Sequence, residues 1–141
     1  MHMNVDPTTL PPDKQELFDR YDQEQLQTVI GVVGTHFLER MSDLDRFDPE
    51  WAANFLQFVS SVHRRSVLDP KTRALAAVGE VTVLGNELGL GLHATNALNA
   101  GATVEEVAEV IMQTVIFTGF PPAHRALKVF HKLVETRNAA D

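Results

Sequence analysis

The sequence predicts an all-α fold, a single-domain helical bundle of about six helices, on three observations. Apolar residues recur at three- and four-residue steps along most of the 141 residues. The helix-start pair of Asp followed by Pro occurs twice, at Asp48-Pro49 and Asp69-Pro70. No alternating apolar and polar run closed by a hairpin turn accompanies them, even around the β-branched stretch Val78 to Leu84. At 44% hydrophobic and 22% charged residues, the chain has the composition of one domain able to close a core.

Residues 1–12 carry three prolines and no helical period, so a flexible N-terminal arm is expected ahead of a helical domain over 13–138. From Asp13, residues Leu17, Tyr21, Leu26, Val29, Ile30, Val33, Phe37 and Met41 read as one long amphipathic helix, kinked or broken in two near Gly31 and Gly34. Asp48-Pro49 opens a second helix with an apolar stripe from Trp51 to Val62, stopped at His63-Arg64-Arg65. Asp69-Pro70 opens a third, apolar almost all round and therefore central.

Gly85, Gly89 and Gly91 then interrupt the chain before a short helix of small residues beginning near Leu92, stopped by Gly101. Thr103 with Glu106 forms a capping box for a fifth helix ended by Gly119, and Pro121-Pro122 opens a last one that frays from Thr136.

A net charge of −7 gives no support to a nucleic-acid surface, which needs clustered Lys and Arg. There is no run of eighteen apolar residues, and the polar, Pro-rich N-terminus has no apolar h-region, so no membrane partner and a cytoplasmic location are expected. The chain has no cysteine, which removes disulfides, thiolate metal sites, thiol nucleophiles and dithiol redox chemistry together.

Among six histidines, no pair stands at i and i+4, and His124 and His131 are separated by two helical turns, so no metal site is expected. His2 lies in the arm, and His36 and His131 read as boundary residues. His93 begins the helix of small residues, with Asn96 and Ala97 on the same face, so a pocket there would hold an imidazole, an amide and open space. The alternative is a buried histidine bonded to a carbonyl.

Glu80 stands in an apolar segment, where a core-facing carboxylate would need a partner or a raised pKa and would suit proton transfer. Alternatively it shares an exposed stripe with Arg73 and Glu87. Arg64 and Arg65 either face water or offer a bidentate fork to a substrate carboxylate. No dinucleotide fingerprint, phosphate loop or Ser-His-Asp order is present.

Ser66 to Val134 resembles the carboxymuconolactone decarboxylase family, which includes alkyl hydroperoxidase D-like proteins. The resemblance is carried by Leu68-Asp69-Pro70-Lys71-Thr72-Arg73, by His93 to Thr103, by Glu105-Glu106-Val107 and by Phe117-Thr118-Gly119-Phe120-Pro121-Pro122-Ala123. It implies an all-helical, alkyl hydroperoxidase D-like fold and a homo-oligomer, a trimer or hexamer, with the pocket near subunit contacts.

The redox branch carries Cys-x-x-Cys-x-x-x-His where this chain has Asn86, Gly89 and His93, and a glutamate where it has Ala74. Dithiol peroxidase chemistry is thereby closed. The decarboxylase branch needs no cysteine and keeps the histidine, although its glutamate four residues earlier is Gly89 here and an aromatic residue before its arginine is His63.

The resemblance therefore implies a decarboxylase without a cofactor, acting on a small carboxylated lactone or related organic acid. His93 would donate or shuttle a proton, Glu80 would orient it or act as second carrier, Arg65 would hold the carboxylate, and Asn96 and Phe120 would shape the pocket. An isomerase or cyclase on a similar substrate, or a non-catalytic small-molecule-binding oligomer, remains the alternative.

Overall fold

A computed structural model describes residues 4–140; His2, expected to play no part, lies outside the described residues. Among the described residues there are nine α-helical segments, one 3₁₀ turn and no strand, so the all-α expectation holds. The chain divides into two compact units, Met1–Val67 and Leu68–Asp141.

In the first unit, a 3₁₀ turn at Pro7–Thr9 precedes α1 (Pro12–Arg20), α2 (Gln23–Val33), α3 (Phe37–Phe47) and α4 (Pro49–His63). Three helices thus occupy the span expected to hold one or two. The reason is local chemistry at both breaks. The Asp22 carboxylate accepts the Gln25 N–H at 2.9 Å and starts a new helix, a preference strong enough to end the previous one. Gly34 then takes φ +88°, which an L side chain rarely adopts, and its N–H closes α2 on the Ile30 carbonyl at 2.8 Å.

Asp48 caps α4 as expected, accepting the Trp51 N–H at 3.0 Å. Leu17, Phe18, Leu26, Val29, Ile30, Phe37, Leu38, Met41, Ala52 and Leu56 form the core, where each large side chain contributes about 1.5–3 kcal/mol by leaving water. Tyr21 donates its hydroxyl to Asp45 at 2.6 Å, and Arg20 pairs with the other oxygen of the same carboxylate. Ahead of α1, Val5 exchanges backbone hydrogen bonds with the Gln27 carboxamide at 2.9 and 2.6 Å.

The second unit holds α5 (Pro70–Val83), α6 (Glu87–Asn99), α7 (Val104–Gln113), α8 (Val115–Thr118) and α9 (Phe120–Ala140). Asp69 caps α5 through the Thr72 N–H at 3.0 Å, and the stretch Val78 to Val83 is helical. α6 starts five residues before the expected Leu92, so only Gly85 of the three glycines lies outside it. Asn86 makes the earlier start possible by accepting the Gly89 N–H at 2.8 Å.

Gly89 is there for room: a Cβ would stand 2.8 Å from Asn86 Nδ2 and 3.1 Å from Val81 Cγ1 on α5. α6 ends as expected, with the Gly101 N–H on the Leu98 carbonyl at 3.1 Å and the Ala102 N–H on the Ala97 carbonyl at 2.9 Å.

The capping box is present, Thr103 Oγ1 accepting from Glu106 N and the Glu106 carboxylate from Thr103 N. The helix it opens stops at Gln113, and the separate turn α8 carries the chain to Gly119. These subdivisions, together with those before Met41, account for nine segments where about six were expected. α9 also departs from expectation by staying helical to Ala140. Thr136 bonds the Lys132 carbonyl at 2.9 Å and Arg137 reaches Asn99 of α6 at 3.0 Å, tying down its last turns. Val78, Leu90, Ala94, Ala97, Val107, Ile111, Ala126 and Phe130 form the core between α5, α6, α7 and α9.

Candidate active site

The buried positions of α6, which packs on α5, are three small residues, Gly89, Ala94 and Ala97, together with Leu90. His93 and Asn96 follow that face one turn apart, and both are half-buried. His93 and Asn96 therefore lie three residues apart on one side of α6.

The other candidates are distributed differently. Glu80 is exposed on the outer stripe of α5, with Ala76 and Leu84 one turn to either side; the core-facing alternative does not apply to the chain as folded. Phe120 is the first residue of α9, is 65% exposed, and stacks on His124 with ring centroids 5.3 Å apart. Arg65 lies just beyond α4, is exposed, and belongs to the first unit, whereas the other four belong to the second.

The positions at which the redox branch would carry its thiols are both committed to structure. The Asn86 carboxamide caps α6, and Gly89 lies against it. Near them, a small cavity of about 10 Å³, room for about one water, is lined by Thr82, Asn86, Leu90 and Arg125 among others. Among the described residues, no three His, Asp or Glu side chains converge as a metal-binding group.

Two features escaped the sequence reading. Lys71 and Glu106 form an ion pair at 2.7 Å that joins the start of α5 to the capping box of α7. A groove between α6 and α9 is floored by Thr95, Val129, Leu133 and Thr136. Its signal was the i, i+4, i+7 spacing of Val129, Leu133 and Thr136 along α9.

The carboxymuconolactone decarboxylase family matches residues 49–132, and the chain belongs to that family. The match begins upstream of Ser66, taking in α4 as well as the second unit through most of α9.

An uncharacterized 15.0 kDa protein from the nqo9-nqo10 intergenic region of Paracoccus denitrificans is 36% identical over 120 residues, covering 82% of this chain and 88% of that protein. A nitrosuccinic acid decarboxylase of Metarhizium robertsii is 32% identical over 127 residues, 84% of this chain and 85% of its own. A 4-carboxymuconolactone decarboxylase of Acinetobacter baylyi is 27% identical over 110 residues, 77% of this chain and 81% of its own. Among the described residues, no helix is long and apolar enough to cross a membrane.

Proposed function

We propose that the chain is a carboxy-lyase that works without a cofactor on a small carboxylated lactone or related organic acid, with His93 as the proton donor. The observation that carries this reading is the half-buried His93 beside Asn96 on α6, within the stretch matched by the family. Two relatives bearing decarboxylase names support the reaction class. The absence of cysteine from the whole chain separates it from the dithiol branch.

Loss of carbon dioxide breaks the bond between the carboxylate carbon and its neighbour, and the electron pair moves into a conjugated carbonyl as a dienolate. A proton must then reach carbon. His93 delivers it and recovers one from water, a contribution of roughly 10²- to 10⁴-fold in rate. Asn96 steadies the substrate carbonyl by hydrogen bonding, and Phe120 bounds the site. One proton carrier suffices, and Glu80 faces water on α5.

The test is carbon dioxide release from a panel of small β,γ-unsaturated and carboxylated lactone acids with the purified protein. At least one should turn over, and no carbon dioxide from any acid of the panel would contradict the reading. An isomerised product with no carbon dioxide released would replace the lyase with the isomerase reading.

A further inference from the structure

The face of α6 opposite His93 borders an open groove. Thr95 is two residues on, about 200° around the helix, and it looks toward α9 across this groove of about 490 Å³. That volume lies in the size range of small-ligand sites. Val129, Leu133 and Thr136 form the opposing wall over two turns of α9, roughly 10 Å. The hydroxyls of Thr95 and Thr136 are turned back onto the carbonyls of Gly91 and Lys132, at 2.8 and 2.9 Å, so the lining is largely apolar.

Lys132 and Arg137 stand on the same groove. Arg137 is held by the Asn99 carboxamide at 3.0 Å, a bond that uses one of its five N–H donors and fixes the guanidinium at the rim. The charge there runs against that of the chain. α9 carries Arg125, Lys128, Lys132 and Arg137 against Glu135 alone, while the protein as a whole is at −7. An acidic protein that gathers cations on one helix, beside an apolar groove, matches a ligand with one negative head and an aliphatic tail. Two cations are too few for the row of phosphates that a nucleic acid presents.

We propose that the α6–α9 groove binds an anionic amphiphile of medium chain length, a linear aliphatic carboxylate, with its head between Lys132 and Arg137 and its tail along Val129 and Leu133. This site is independent of His93.

Calorimetric titration of the full chain with hexanoate, octanoate and decanoate, each below its micelle concentration, tests it. Saturable binding of one decanoate per chain is expected, with affinity rising by up to about fourfold for each methylene buried. Lys132→Glu, a change at an exposed position, should weaken decanoate at least tenfold while leaving the circular dichroism spectrum unchanged, and uncharged decanol should bind at least tenfold more weakly. The absence of saturable binding, equal affinity in Lys132→Glu, or equal affinity for decanol would each overturn the proposal.

Discussion

Lys71 Nζ donates to Glu106 Oε1 at 2.7 Å, while the other carboxylate oxygen of Glu106 accepts the Thr103 N–H at 2.8 Å. One side chain thus completes the N-terminus of α7 and ties it to the first turn of α5. The Lys71 hydrogen bond, then the Thr103 N–H, hold the Glu106 carboxyl below its ordinary value of 4.5. A depressed carboxyl stabilises the fold above its unfolded value and loses that contribution as pH falls through its folded value. Denaturant midpoints should therefore be lower for Glu106→Gln than for the parent at pH 7 and should converge toward pH 3. Parallel pH curves would contradict this role.

The same capping box makes a prediction free of charge effects. Thr103→Ala removes the acceptor for the Glu106 N–H and should cost about 1 kcal/mol in urea unfolding. No measurable change would mean that the Glu106 side chain alone sustains the start of α7.

Two glycines of α6 should respond in opposite directions. At Gly89 an added methyl meets Asn86 and Val81 closer than real contacts allow, so Gly89→Ala should destabilise by about 1–2 kcal/mol despite its better helix propensity. At Gly91 nothing lies within 4 Å, and Gly91→Ala should stabilise by roughly 0.5–1 kcal/mol. Urea titration of the pair checks the close approach of α5 and α6 directly.

Tyr21 is the single tyrosine of the chain, so its ionisation can be followed by absorbance without overlap from another phenol. Burial first, and then its hydrogen bond to Asp45, push its hydroxyl up to about 12. The neutral phenol therefore stabilises the fold below its ordinary value of 10.0, and this is lost as pH rises through the folded value. Asp45→Asn should move the absorbance midpoint down toward 10.0, and an unchanged midpoint would remove Asp45 as a cause.

What was legible in the sequence follows from how local each signal is. Asp48, Asp69 and the Thr103–Glu106 pair act within one helical turn, and all were readable and correct. Asp22 is equally local, but its signal is masked by apolar periodicity that continues through it from Leu17 to Met41. Gly89 and Gly91 read as breakers because their tolerance inside α6 depends on Asn86 and on space beside α5, which are set by packing. For the site, the i, i+3 relation of His93 and Asn96 was readable from spacing. The exposure of Glu80 was not, because α5 is apolar almost all round and its outer stripe is settled only by which face α6 covers. The Lys71–Glu106 pair joins residues 35 apart in sequence and had no local signature.

The closed thiol chemistry gives a negative control. With Asn86 and Gly89 at the dithiol positions, a hydroperoxide assay supplied with a dithiol donor should stay at background. Turnover above background would reopen the redox branch.

The central claim is proton donation by His93. The most direct measurement is carbon dioxide release by the parent chain and by His93→Gln on the same acid, with thermal unfolding recorded for both. At least a tenfold loss of kcat at an unchanged unfolding temperature is expected, and equal kcat in the two proteins would contradict the account.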